Sequence, residues 1–60
     1  MSSLNGLIQK AVTTRDKKDI EEVSEILRFI HGMTWSEECK YVANITGINP
    51  LDWEELLQEI

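Results

Sequence analysis

The sequence predicts an all-α fold: one small single-domain bundle of three to four short helices over residues 1–60. Three observations predict it. Apolar residues recur three and four apart along four successive stretches. Helix caps and stops punctuate those stretches at the expected places. No stretch alternates apolar and polar residues, as a half-buried strand would.

The first helix is expected over about 3–13. Leu4, Leu7, Ile8, Ala11 and Val12 share one face, and Ser2 or Ser3 can cap it. Gly6 costs it about 1 kcal/mol relative to alanine, so it depends on packing against the other helices. Thr13-Thr14 closes it, because β-branched hydroxyl residues suit turns better than helix interiors.

The second helix is expected over 15–31, capped by Thr14 or Asp16, with Asp19, Glu21 and Glu22 in early turns that favour anions. Ile20, Val23, Ile26, Leu27 and Ile30 form its apolar stripe, and Phe29 lies at the margin. His31 sits in the last turn and Gly32 follows as a left-handed stop.

The third helix is expected over 35–46. Thr34-Trp35-Ser36-Glu37 fits a capping box, in which the threonine hydroxyl and the glutamate exchange hydrogen bonds with each other's backbone. Trp35, Cys39, Val42 and Ile45 make the expected buried stripe, with Ala43 beside it, and Gly47 ends the helix. The fourth, over 50–59, opens on Asn49 as cap and Pro50 at the first helical position. Trp53, Leu56, Leu57 and Ile60 then fall on one face.

Size and composition narrow the function. A 60-residue chain buries only about 60% of its unfolded surface, so small domains lean on disulfides, metals or partners. Cys39 is the only cysteine, which excludes an internal disulfide. A structural zinc site wants four Cys or His ligands in paired spacing; this chain has one of each, eight residues apart, and no metal or cofactor is expected. Cys39 with His31 makes a poor nucleophile–base pair, since the Gly32 break separates them and the thiol is placed on an apolar face. No glycine-rich phosphate loop exists and no pair of carboxylates is set apart for acid–base work. The chain is therefore not expected to be an enzyme. No apolar run approaches the roughly 20 residues of a membrane span, and a lone thiol without an export signal points to the cytoplasm.

The net charge of −5 is unevenly spread. Residues 1–33 carry five cations and five carboxylates; residues 34–60 carry Lys40 against six carboxylates. An acidic surface repels nucleic acid and membranes and favours a basic protein partner.

Residues 36–58 resemble a helix-turn-helix. Ala43 is the small residue of its first helix, Gly47 falls four later at the turn, Ile48 follows as an apolar plug, and Val42, Trp53 and Leu56 occupy positions that this motif buries. The resemblance implies major-groove reading by the second helix. Against that, the helix from Pro50 to Ile60 holds four acids and no Lys or Arg, whereas DNA binding rests on phosphate neutralisation and on Arg or Lys reading guanine. Thr46 also stands where the motif prefers a bulkier apolar residue.

The expectation that remains is protein binding by a regulator, adaptor or inhibitor, working as a homodimer or within a complex. Small free-standing chains of this kind are common among phage and mobile-element accessory proteins, an origin suggested by analogy. Trp35, Glu37, Glu38, Tyr41, Trp53, Glu54 and Glu55 are the expected contact residues, because large rings bring contact area at low entropic cost and the acids suit a basic partner. A helix-turn-helix DNA-binding transcriptional regulator is the alternative.

Overall fold

A computed structural model describes residues 3–59. It contains α1 (Leu4–Thr14), α2 (Lys17–Glu25) running directly into a π-helical turn (Ile26–Ile30), α3 (Trp35–Thr46) and α4 (Pro50–Gln58). The described residues include no strand, so the fold is all-α. No described helix is long and apolar enough to cross a membrane.

The caps follow from local chemistry. The Ser3 hydroxyl accepts from the Gly6 amide, and the Asp16 carboxylate accepts from that of Lys18. Thr34 and Glu37 form the expected capping box. A second box opens α4, where Asn49 caps and the Asp52 carboxylate accepts from the Asn49 amide. Gly32 and Gly47 adopt the left-handed conformation that ends a helix, and so does Arg15, with φ of 57°. Ser2 as an alternative cap, and Ile60 as the end of the fourth stripe, lie outside the described residues.

Each helix contributes to one core: Ile8 and Ala11 from α1, Ile20 and Val23 from α2, Leu27 from the π turn, Cys39 and Val42 from α3, and Trp53 from α4. Leu4, Leu7, Val12, Met33, Tyr41, Ile45, Ile48, Leu56 and Leu57 pack around them. The Gln9 side-chain amide donates to the Ile45 carbonyl at 3.2 Å and ties α1 to the end of α3.

The structure corrects the expected second helix in one respect. It does not continue as an α-helix to residue 31. The His31 amide reaches back five residues to the Ile26 carbonyl at 3.2 Å, which widens one turn by a residue. The stripe Ile20, Val23, Leu27 is thereby thrown out of register, and Ile30, expected in the core, is turned to solvent with Phe29. Trp35, expected in the buried stripe of the third helix, is also exposed; Glu38, one turn on, takes the buried place instead.

The hairpin of α3 and α4 buries Val42, Ala43 and Trp53 and half-buries Ile48 and Leu56, the positions that a helix-turn-helix covers. The Thr46 departure has a local reason. Its hydroxyl donates to the Val42 carbonyl at 2.7 Å and accepts from the Ile48 amide at 3.5 Å, closing the turn by hydrogen bonding rather than by apolar bulk.

Gly47 carries the turn with φ of 81° and open space where a Cβ would stand, so alanine there meets only the backbone penalty of the left-handed region. Gly47→Ala is expected to destabilise the fold by about 1–2 kcal/mol, lowering the thermal midpoint by several degrees in calorimetry.

Candidate functional site

The most constrained group in the molecule is the Glu38 carboxylate, which is fully buried in the first turn of α3. Burying a carboxylate is costly unless it is paired and hydrogen-bonded, and three side chains do both here. The Arg28 Nε donates to Oε1 at 2.9 Å, and the indole Nε1 of Trp53 donates to Oε2 at 2.9 Å. The single hydroxyl hydrogen of Ser24 is shared between the two oxygens at 3.1 and 3.2 Å. The positive end of α3 adds favourable potential. Among the described residues no buried side-chain polar atom lacks a partner.

Arg28 is the outer member of this set, with 34% of its side chain exposed. Its guanidinium lies over the Trp35 ring, Cζ 4.7 Å from the centroid, a cation–π contact that shields the ion pair from water. The π turn supplies Arg28, and the same turn pushes Phe29 and Ile30 outward.

Glu38 and Trp53 are therefore corrected as partner-contact residues, because both are fully enclosed and bonded to each other. Of the other expected contacts, Glu37 is exposed but its Oε1 is engaged in capping Thr34. Tyr41 is half-buried against the core, Glu54 is half-buried, and Trp35 and Glu55 are exposed. Of the expected set, the structure thus leaves only Trp35, Glu37 and Glu55 exposed.

It assembles two other surfaces. The first is a groove between α4 and the junction of α1 and α2. It consists of two adjoining depressions of about 100 and 270 Å³ that share Arg15, Leu56 and Glu59. Val12, Ile20, Ile48 and Leu56 provide its apolar lining; Asp52, Glu55 and Glu59 line it from α4, and Arg15 and Lys17 from the opposite side. Each depression by itself falls below the roughly 300 Å³ at which small-molecule pockets begin, and each has room for a side chain of a partner. The sequence signal for it was the spacing of Asp52, Glu55 and Glu59 along α4 and its C-cap, whereas the apolar floor joins Leu56 of α4 to residues of three other parts of the chain. The second surface is the corner after α2, where Phe29, Ile30 and Trp35 are 83%, 74% and 40% exposed.

The Cys39 thiol is buried, and its pKa is raised above 9.0 by burial and by the charges of Glu38 and Glu54. It stays protonated and unreactive at neutral pH. Comparison with protein-family models, curated proteins and solved structures gives no match to this chain, so the functional reading rests on these surfaces alone.

Two predictions follow from the buried groups. Glu38→Ala is expected to cost about 3–5 kcal/mol, because it strands a partly buried guanidinium, whereas Trp53→Phe keeps an aromatic side chain but loses the N–H donor and part of the indole's volume and costs about 1–3 kcal/mol; urea unfolding of both variants checks the order. For Cys39, the folded thiol's raised pKa means its contribution to stability is complete below the ordinary value of 9.0 and is lost as pH rises through the folded value. Wild type is expected to lose more stability than Cys39→Ala between neutral pH and pH values above 9.0, read as the difference between their urea midpoints.

Proposed function

We propose that this chain is a protein-binding module, a regulator, adaptor or inhibitor, whose α4 groove receives an apolar side chain flanked by basic residues on another protein. The observation that carries this reading is the groove itself: an apolar floor beside an α4 stripe of Asp52, Glu55 and Glu59. The acidic rim attracts and orients a basic segment, while Arg15 and Lys17 disfavour cations on the far side. A reducing cytoplasm suits the buried, unpaired thiol.

The exposed residues of α4 and its C-cap, Pro50, Leu51, Asp52, Glu55, Gln58 and Glu59, include no cation, which weighs against reading DNA with this helix.

The test is an NMR titration with two amphipathic helical peptides, one of Lys and Leu and one of Glu and Leu. Shifts centred on Val12, Ile48 and Leu56 are expected with the Lys/Leu peptide. They should weaken at least tenfold in a Glu55→Lys/Glu59→Lys variant, and further as salt is raised. Equal response to both peptides, or shifts away from the groove, removes the reading. Retardation of random duplex DNA at low salt would instead favour the helix-turn-helix alternative.

A further inference from the structure

We infer that the corner after α2 is a contact between two copies of this chain, formed by Phe29, Ile30 and Trp35 packing on the same residues of the second copy. This corner shares no residue with the α4 groove. Four large apolar side chains stand exposed among the described residues, and three of them fall between positions 29 and 35. Scattered exposed apolar residues need no explanation, but three between the end of the π turn and the first residue of α3 form a patch.

The charge pattern selects the occupant. Two copies of a −5 chain repel each other over most approaches. Residues 26–36 contain no carboxylate, and their only basic groups are Arg28 and His31. Arg28 is neutralised internally by Glu38, which leaves His31 as the one other basic residue of the segment. The Glu37 carboxylate reaches back to Thr34 at the edge of this corner, where it is engaged in the α3 capping box; the rest of the corner presents apolar surface with little net charge, where two like-charged molecules can meet with least repulsion. The self-complementary arrangement is a two-fold interface, in which each residue meets its own equivalents or their neighbours.

The magnitude sets the strength. Aromatic side chains carry about 150–250 Å² each, and the fractional exposures of the three residues leave roughly 400 Å² per copy. Stable interfaces bury about 800 Å² per partner. The dimer is accordingly weak and reversible, filling as concentration rises rather than persisting on dilution.

Raising salt screens the mutual repulsion of the acidic copies and strengthens apolar burial, so self-association tightens with salt. Binding of a basic segment in the α4 groove weakens under the same change, which separates the two surfaces in one experiment.

The experiment is sedimentation equilibrium of the full chain from about 1 μM to about 1 mM, at low and high salt, with Trp fluorescence recorded in parallel. A monomer–dimer equilibrium is expected that tightens with salt, with Trp35 emission moving to shorter wavelength as the dimer fills. A Phe29→Ser/Ile30→Ser variant, altered only at exposed positions and checked for unchanged helicity, is expected to dissociate at least tenfold more readily. Glu55→Lys/Glu59→Lys should still dimerise through the corner. A monomer at every concentration overturns the inference. So does a dimer indifferent to the Phe29/Ile30 change.

Discussion

The ion pair and hydrogen bonds around Glu38 are the constraint on which the rest of the structure depends. One carboxylate draws donors from residues 24, 28 and 53, and so pins α2, the π turn, α3 and α4 to a common point. Apolar contacts alone are non-directional, and a core of Ile, Leu and Val could settle in more than one register. A buried carboxylate with three bonded donors cannot slide without leaving a charge unpaired. Its contribution to net stability is modest, because desolvation offsets much of the attraction. Its larger effect in this chain is to specify which faces meet.

That requirement also accounts for the π turn. A continued α-helix would carry the stripe Ile20, Val23, Leu27 on to Ile30, and Ile30 would join the core. The extra residue in the turn accompanies Arg28 onto Glu38 and the exposure of Phe29 and Ile30. Side chains that could have been buried are left in water beside a satisfied ion pair. π turns are rare and often lie at functional sites, and here the turn links the most buried polar group to the most exposed apolar ones.

This division explains what was legible in the sequence. The four helices, their starts and the stops at Gly32 and Gly47 were, because caps are local: Thr34 with Glu37, Asn49 with Pro50, Gly32 and Gly47 each act within a few residues. The core face of α1 was legible from spacing alone. Glu38 was not, since its partners lie 10 to 15 residues away and a glutamate in a first helical turn ordinarily caps or solvates. Trp35 and Trp53 are the same residue type in the first turn of successive helices, yet one covers Arg28 at the surface and the other is enclosed. Only the location of Glu38 distinguishes them. The π turn left no local signature, because an inserted residue shifts the register without changing the composition. For the same reason the groove was half legible: its acidic stripe lies on one helix, while its apolar floor is drawn from α1, α2, the turn after α3, and α4.

The positions of the two surfaces bear on how they act together. Arg15 and Lys17 place the groove at the start of α2, and Phe29 and Ile30 place the corner at the end of the π turn that continues it. The helical rise of 1.5 Å per residue separates these ends by roughly 20 Å, close to the width of a molecule measuring 29 × 24 × 21 Å. Occupying one surface therefore leaves the other free. A dimer joined at the corners would hold two acidic grooves at its far ends, able to engage two basic segments of one target or one segment on each of two targets. In the first case the second binding event becomes intramolecular, which raises avidity without any new contact. A weak corner contact is sufficient for this, because a bivalent target would itself hold the two copies together.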